Sequence, residues 1–250
     1  MISRIRSDIF KTGRGAGWRL GIAAVFIMLL SGCMYKNEVQ NQNSLASGEY
    51  LTVVQNAVDT YHKATGVLPI KTKPQDTPLY EKYLIDFKKL KDRKMISTVP
   101  TNAFENGGSA IYVIVDAETK PTVKLMDLSA YQKVVQLQAD IDAYKAKKGV
   151  LPIGAQTAPS FYAIDFSKLG QKEIQFQSPY SSQFLTVILS ESGQAAIDYG
   201  PEIMKLINKK SLKPDSKQDL RALLVEESFY IPVRSFPYYW SGDQPVVKQE

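Results

Sequence analysis

Two short segments of this chain each carry a carboxylate and an amine three residues apart. If either segment is helical, the two side chains can meet on one face, and the pair could form a ligand site that occurs twice. A structural role is the alternative, in which the aspartate caps a turn while the flanking Phe and Leu enter the core. The large apolar neighbours favour the structural role. The pairs are Asp86 with Lys89 in "YLIDFKKL" and Asp165 with Lys168 in "YAIDFSKL".

The other groups able to do acid–base or metal chemistry are few. His62 is the sole histidine and Cys33 the sole cysteine, so the usual zinc, Cys/His and Ser/His sites cannot be assembled. Asp59 and Asp142 occupy matching helical positions and are expected to be solvated. We therefore predict a protein that is not an enzyme, with no catalytic residue, no metal and no cofactor.

Six aromatic residues lie between Phe229 and Trp240, in a stretch interrupted by two prolines. Exposed aromatic clusters bind sugars or form the centre of a protein interface. The alternative, which we favour, is that this tail crosses a sheet and closes the core. The candidate ligand or partner contacts are Tyr238, Tyr239 and Trp240.

The N-terminus predicts a lipid anchor. A basic leader is followed by the apolar run "LGIAAVFIMLL" and then by "LSGC", which ends at Cys33 and resembles a bacterial lipobox. Eleven apolar residues span roughly 16 Å, which suits a signal peptide better than a membrane span. We predict a signal peptide over 1–32 and a lipidated Cys33 that starts a flexible tether over 33–48. The protein is then expected on the extracytoplasmic face of the cell membrane.

The charge of the chain argues against nucleic acid as a partner. The full chain has a net charge of +6, but the leader contains five basic residues and one acidic residue. Without it, 26 basic and 24 acidic residues remain, which gives about +2. The expected partners are the membrane, through the anchor, and an envelope protein, a cell-wall polymer or a small solute.

The elements that would position these residues occur twice. "LTVVQNAVDTYHKATGVLPI" begins at Leu51, and "VVQLQADIDAYKAKKGVLPI" begins at Val134. Their apolar residues match at spacings of 3, 4 and 3, which predicts one buried helix face in each. Ser129 is the predicted N-cap of the second helix, and Gly66 and Gly149 are the predicted C-terminal residues in the left-handed conformation.

An "IDF" segment and two strand-like runs follow each helix. The fold class is therefore predicted to be α+β, with two tandem repeats of a helix and an antiparallel hairpin. The repeats span 49–128 and 129–200, and a non-repeated helical and aromatic segment over 201–250 packs on them. Its helices are predicted over Pro201–Lys210 and Ser216–Glu227.

With its lipobox and its doubled "GVLPI…IDF" pattern, the chain resembles the YphF-like lipoproteins of Bacillus and its relatives. The resemblance implies a lipid-anchored protein with a binding or structural role at the cell envelope, and it transfers no residue beyond Cys33. The alternative is a solute-binding component of an ABC transporter, since two similar lobes suit a clamp. Against this, each unit is shorter than a doubly wound lobe and lacks βαβ alternation.

Overall fold

The computed structural model describes the backbone of residues 32–249 and the side chains of residues 47–249. The predicted signal peptide over 1–32 lies outside the described residues apart from Gly32, and so does the side chain of Cys33. Every side-chain contact below belongs to one compact unit, Ser47–Glu250. In the part of the chain that the structure describes, no helix has the length and apolarity needed to cross a membrane.

Helices and short antiparallel strands alternate along the chain, and this confirms the predicted α+β class. The α-helices are α1 (Gly32–Thr65), α2 (Phe87–Asp92), α3 (Leu128–Lys148), α4 (Gly200–Lys210) and α5 (Arg221–Glu227). The strands are β1 (Ala110–Val115), β2 (Thr122–Asp127), β3 (Ile153–Ala158), β4 (Phe161–Ile164), β5 (Phe176–Gln177), β6 (Phe184–Leu185), β7 (Val187–Ser190), β8 (Ala195–Ile197), β9 (Tyr238–Ser241) and β10 (Gln244–Val247).

The strands after α3 form a four-stranded antiparallel sheet in the order β3-β4-β7-β8. After α1, the β1–β2 hairpin is extended by two isolated pairings, Leu84 with Val113 and Ile70 with Ile85. The pairings after the two long helices are similar in order, but those of Leu84 and Ile70 are single bridges, and α2 follows only α1 among the described residues. The β5–β6 and β9–β10 pairs complete the described strands.

The two long helices bury the apolar faces that their spacing predicts. Val54 and Val58 of α1 are fully buried with Leu90 and Leu125, whereas Leu137 and Ile141 of α3 belong to a second cluster. That second cluster also contains α4, α5 and much of the C-terminal tail. Burial of such side chains contributes roughly 1.5–3 kcal/mol each, so these faces hold the helices on the strands.

Both "GVLPI" segments end a helix as predicted. Gly66 and Gly149 have φ values of 73° and 75°, a region that glycine enters without a Cβ clash. Three residues later, the carbonyl groups of Pro69 and Pro152 accept hydrogen bonds from the "IDF" aspartate main chain, at 2.7 and 2.8 Å. The segment thus turns the chain out of the helix and pairs it with the following strand.

Segment 34–47, predicted as a flexible tether, differs from that expectation because α1 begins at Gly32. Its residues include Met, Lys, Glu, Gln, Leu and Ala, which all have good helix propensity, and it contains no Pro or Gly. Adding residues to an existing helix costs far less than starting one, so the helix extends backwards from its packed part.

Two predicted helix starts are wrong. Asp127, and not Ser129, is the N-cap of α3, and its carboxylate accepts a hydrogen bond of 3.0 Å from the Ala130 N–H. Asp127 also ends β2, so one residue closes a strand and opens a helix. The last helix begins at Arg221 and not after Ser216, because Asp219 holds the preceding turn by accepting from the Arg221 N–H at 3.0 Å.

The first of the two strand-like runs that the sequence shows after α3 covers Phe184–Leu189, and in the structure it is divided between two sheets. Phe184 and Leu185 pair with β5, whereas Val187 to Ser190 form β7 and pair with β4 and β8. Thr186 lies between them, and its carbonyl group accepts a hydrogen bond of 3.0 Å from the Asp198 N–H. This is an ordinary N–H···O length. The chain therefore changes partners at one residue.

Candidate functional site

The Asp86/Lys89 and Asp165/Lys168 pairs take the structural role. The Asp86 carboxylate caps α2 by accepting from the Lys88 and Lys89 N–H groups, at 3.0 and 3.4 Å. The Lys89 Nζ donates to the Ile70 carbonyl group, and the Lys168 Nζ donates to the Ile153 carbonyl group, both at 2.8 Å. Each lysine thereby ties its turn to the last residue of the preceding "GVLPI" segment.

Asp165 has a further partner that Asp86 lacks. Its Oδ1 accepts a hydrogen bond of 2.5 Å from the Ser167 hydroxyl group, and Lys168 lies 3.3 Å from its Oδ2. The bond from Ser167, followed by the contact with Lys168, lowers the pKa of Asp165. The carboxylate stays charged and acts as a turn anchor.

Gln55 and Gln138 have a role that the sequence did not reveal. Each side-chain amide bonds the main chain at the start of the second hairpin strand. The Gln138 Oε1 accepts from the Ala195 N–H at 2.8 Å, and its Nε2 donates to the Gly193 carbonyl group at 2.8 Å. Gln55 makes the same two bonds to Val123 and Pro121, at 2.7 and 3.0 Å.

Asp59 and Asp142 orient these amides. Each carboxylate accepts a second hydrogen bond from the glutamine Nε2, four residues earlier on the helix, at 2.9 Å. The recurrence of Gln and Asp at matching positions was the available signal, but only the three-dimensional structure shows what the amides contact. His62 is exposed on α1, and no group of three or more His, Cys, Asp or Glu that could hold a metal occurs among the described residues.

Of the three aromatic candidates, Tyr238 lies in the core and is wrong as a surface contact. It is 2% exposed, its hydroxyl group donates to the Asp198 Oδ1 at 2.7 Å, and it accepts from the Tyr199 N–H at 3.2 Å. Burial raises its pKa well above the ordinary value of a tyrosine. The inward position follows from β9, because alternate side chains of a strand face opposite sides.

Tyr239 and Trp240 are partly buried on β9, which pairs with β10. Trp240 packs against the second core cluster, and the Lys248 ammonium lies 5.3 Å from the centre of the Tyr239 ring. These two residues remain candidates for a contact surface. The most exposed aromatic residue of the tail is Phe229, at 43%.

Phe229 stands at the edge of a groove of about 530 Å³ between α4 and α5. One wall consists of the lysines of α4, and the floor contains Leu206 and Leu224. The segment around Pro179 to Ser182 forms the remaining wall. Lys205, Lys209 and Lys210 are the basic residues that line the groove.

The acidic residues of this groove are already engaged. Glu227 forms an ion pair with Lys210 across the groove, and the buried Glu202 accepts a hydrogen bond of 2.5 Å from the Ser181 hydroxyl group. Lys205 and Lys209 are exposed and form no ion pair within the described residues. Being four residues apart on α4, they lie on one face and leave two positive charges there.

The main chain beside Phe229 is fixed to the hairpin. The Leu125 N–H donates to the Phe229 carbonyl group at 2.8 Å, and the Lys124 Nζ donates to the Ser228 carbonyl group at 2.6 Å. The Phe229 ring lies against the Gly48 backbone, since a Cβ built on Gly48 would stand 3.2 Å from that ring. The groove therefore has a rigid edge at the point where the chain enters this unit.

Chemically, this arrangement offers two free ammonium groups beside an aliphatic and aromatic surface. Ammonium groups attract phosphate and carboxylate groups, and the apolar wall can cover the carbon skeleton between them. The groove therefore combines two positive charges with an apolar surface.

Comparison with known proteins gives one family. Residues 47–127 match the model of the YphF family N-terminal domain. The matched range coincides with the first helix–hairpin unit and ends at the N-cap of α3. No curated protein and no solved structure matches the chain significantly.

Proposed function

We propose that this chain, which carries a YphF-family N-terminal domain, is a lipid-anchored bacterial protein of the extracytoplasmic membrane face. Its role is to bind and not to catalyse. The ligand is an anionic cell-wall polymer that carries phosphate or carboxylate groups, and the groove between α4 and α5 binds it.

The observation that carries this proposal is the pair of free lysines in the groove. Lys205 and Lys209 face the same space as the exposed ring of Phe229, whereas the neighbouring acidic groups are engaged by Lys210 and Ser181. A linear polymer can enter a concave groove, whereas the flat surface of a bilayer cannot. Repeated negative charges along the polymer would meet two ammonium groups spaced by one helical turn.

The anchor supports the same location. Cys33 follows "LSG" after a basic and apolar leader, and its thioether-linked acyl chains would hold the protein at the membrane. Ser47 is 14 positions after Cys33, and the segment between them reaches at most roughly 50 Å, so the groove unit begins within that distance of the lipid. This is the zone in which wall polymers meet the membrane of a cell with a single membrane.

The experiment measures sedimentation of the protein with purified bacterial cell walls, before and after acid extraction of their anionic polymers. Lys205→Ala/Lys209→Ala is the test variant. Lys147→Ala/Lys148→Ala, which removes the same charge from the exposed end of α3, is its control. Loss of two contacts of about 1 kcal/mol each weakens binding by roughly 30-fold, and added salt weakens the wild type.

Equal binding by the test and control variants would overturn the groove as the binding site. Binding that survives the extraction would overturn the anionic polymer as the ligand. Vesicles with anionic headgroups form a third arm, and groove-dependent binding to them in place of walls would identify the membrane itself as the partner and contradict the proposal.

A second candidate function, a solute-binding component of an ABC transporter, is favoured by one observation. A small cavity lies between the first helix–hairpin unit, the β7–β8 turn and the C-terminal tail. Saturable binding of a small solute to this cavity, without binding to cell walls, would support this candidate over the first.

A further inference from the structure

The small cavity between the first helix–hairpin unit, the β7–β8 turn and the C-terminal tail has a volume of about 130 Å³. Glu81 reaches it from the first unit, Ser192 and Gln194 from the turn between β7 and β8, and Arg234 from the tail. These residues are far apart in sequence, and Glu81 and Arg234 are separated by 153 positions. A cavity of similar volume in another protein binds benzene, which has six heavy atoms, so a ligand of about that size fits.

Arg234 is held in an unusual backbone conformation. Its φ is 50°, in the left-handed region that residues with a Cβ rarely adopt. The N–H group donates to the Glu81 Oε1 at 2.7 Å, and the carbonyl group accepts from the Ile197 N–H at 2.8 Å. Such conformations cluster at ligand-binding positions, where the surrounding structure enforces them.

The guanidinium group of Arg234 has one buried donor without a partner among the described residues. Its Nε is buried and is the one buried side-chain nitrogen or oxygen of the described residues without a hydrogen bond. Arg234 also forms no ion pair within that part of the chain. A buried donor on a charged group is costly to leave unpaired, and a carboxylate is the acceptor that matches a guanidinium edge.

Glu81 supplies the opposite charge. It is 6% exposed, and one of its carboxylate oxygens accepts from the Arg234 main chain while the other has no hydrogen bond within the described residues. Glu81 and Arg234 line the same cavity without forming an ion pair there. A simple anion would satisfy Arg234 but would place a second negative charge in the cavity with the Glu81 carboxylate.

We infer that this cavity binds a small α-amino acid of about the size of alanine. Its carboxylate pairs with the Arg234 guanidinium group, and its ammonium group pairs with the Glu81 carboxylate. The exposed side chains of Ser192 and Gln194 complete the polar rim. A zwitterion matches both charges of the cavity at once, which neither an anion nor a cation does.

Calorimetric titration of the full chain in detergent micelles tests this site. The probes are glycine, L-alanine and D-alanine, and the comparison compounds are propionate, which lacks the amine, ethylamine, which lacks the carboxylate, and inorganic phosphate. Saturable binding of at least one amino acid, with weaker or no binding of the three comparison compounds, is the expected result.

Arg234→Gln and Glu81→Gln are each expected to weaken amino-acid binding about tenfold or more. Glu81→Gln retains the fold because it keeps an acceptor for the Arg234 N–H. A third variant, Arg234→Lys, retains the fold because it keeps the positive charge, but it loses the planar edge that binds a carboxylate. Arg93→Gln removes an exposed arginine elsewhere and is the control, with binding unchanged. Circular dichroism verifies the fold of each variant.

Absence of binding by all three amino acids would overturn the inference. Equal or tighter binding of propionate or phosphate would overturn the zwitterion as the ligand. Binding that is unchanged in Arg234→Lys and Glu81→Gln would place the ligand elsewhere. The site does not depend on the groove between α4 and α5, so either proposal can fail while the other stands.

Discussion

Replacement of Gln138 by alanine tests the contact that fixes the second hairpin on its helix. The Gln138 side chain bonds both the Ala195 N–H and the Gly193 carbonyl group, each at 2.8 Å. Ala195 is 1% exposed, so water cannot easily replace the lost acceptor. In the variant, a buried main-chain donor and a neighbouring acceptor both lose their partner.

The expected loss of stability follows from these two groups. An unsatisfied buried polar group costs about 1–3 kcal/mol, and Gly193 and Ala195 are both buried, so we expect a loss of about 2–3 kcal/mol in total. For a domain of this length, such a loss lowers the melting temperature by roughly 5–10 °C. Gln136→Ala is the matched control, because Gln136 is exposed on the same helix and bonds only Asp140, at 3.1 Å.

Urea unfolding of residues 47–250, followed by circular dichroism, measures the free energy of unfolding of each variant. We expect a clear loss for Gln138→Ala and a loss of about 0.5 kcal/mol or less for Gln136→Ala. If the two variants unfold at the same urea concentration, the amide does not hold the hairpin and the reasoning is refuted.

Two further predictions concern single residues. Asp127→Ala is expected to cost about 1 kcal/mol in urea unfolding, because it removes the N-cap of α3, whereas Ser129→Ala should cost little; the reverse order would restore Ser129 as the cap. Burial raises the pKa of Glu81 above its ordinary value of 4.5. The folded state therefore holds the Glu81 proton more tightly than the unfolded state does. The protonated Glu81 contributes fully to stability below the unfolded pKa, and this contribution is lost as the pH rises through the folded pKa. Unfolding from about pH 4 to 8 should show this loss in the wild type and not in Glu81→Gln, and parallel curves for the two proteins would contradict it.

Local signals in the sequence predicted the parts of the fold that depend on neighbouring residues. Gly66 and Gly149 could be identified as helix ends because left-handed backbone and a following proline are local requirements. The buried faces of α1 and α3 followed from apolar spacing. The cap of α3 was missed because Asp127 belongs to a strand, where a capping role leaves no local pattern.

The candidate sites depend on contacts that no local pattern encodes. Tyr238 is a typical surface-binding residue by type, yet the pairing of β9 with β10 turns it towards Asp198. The groove requires α4 to lie beside α5, and the contact between Glu81 and Arg234 joins the first unit to the tail. Side-chain chemistry was readable from the sequence, but which side chains share a cavity was not.

The central claim of the account is the anchored location, without which the groove would not meet a cell-wall polymer, and mass spectrometry of the protein from bacterial membranes tests it. The account predicts a mature chain whose first residue is Cys33 and which carries acyl chains on the thiol. In Cys33→Ser, the lipid is absent and the leader stays attached. An unmodified chain that begins at Met1 in the wild type, recovered in the cytoplasmic fraction, would contradict the account.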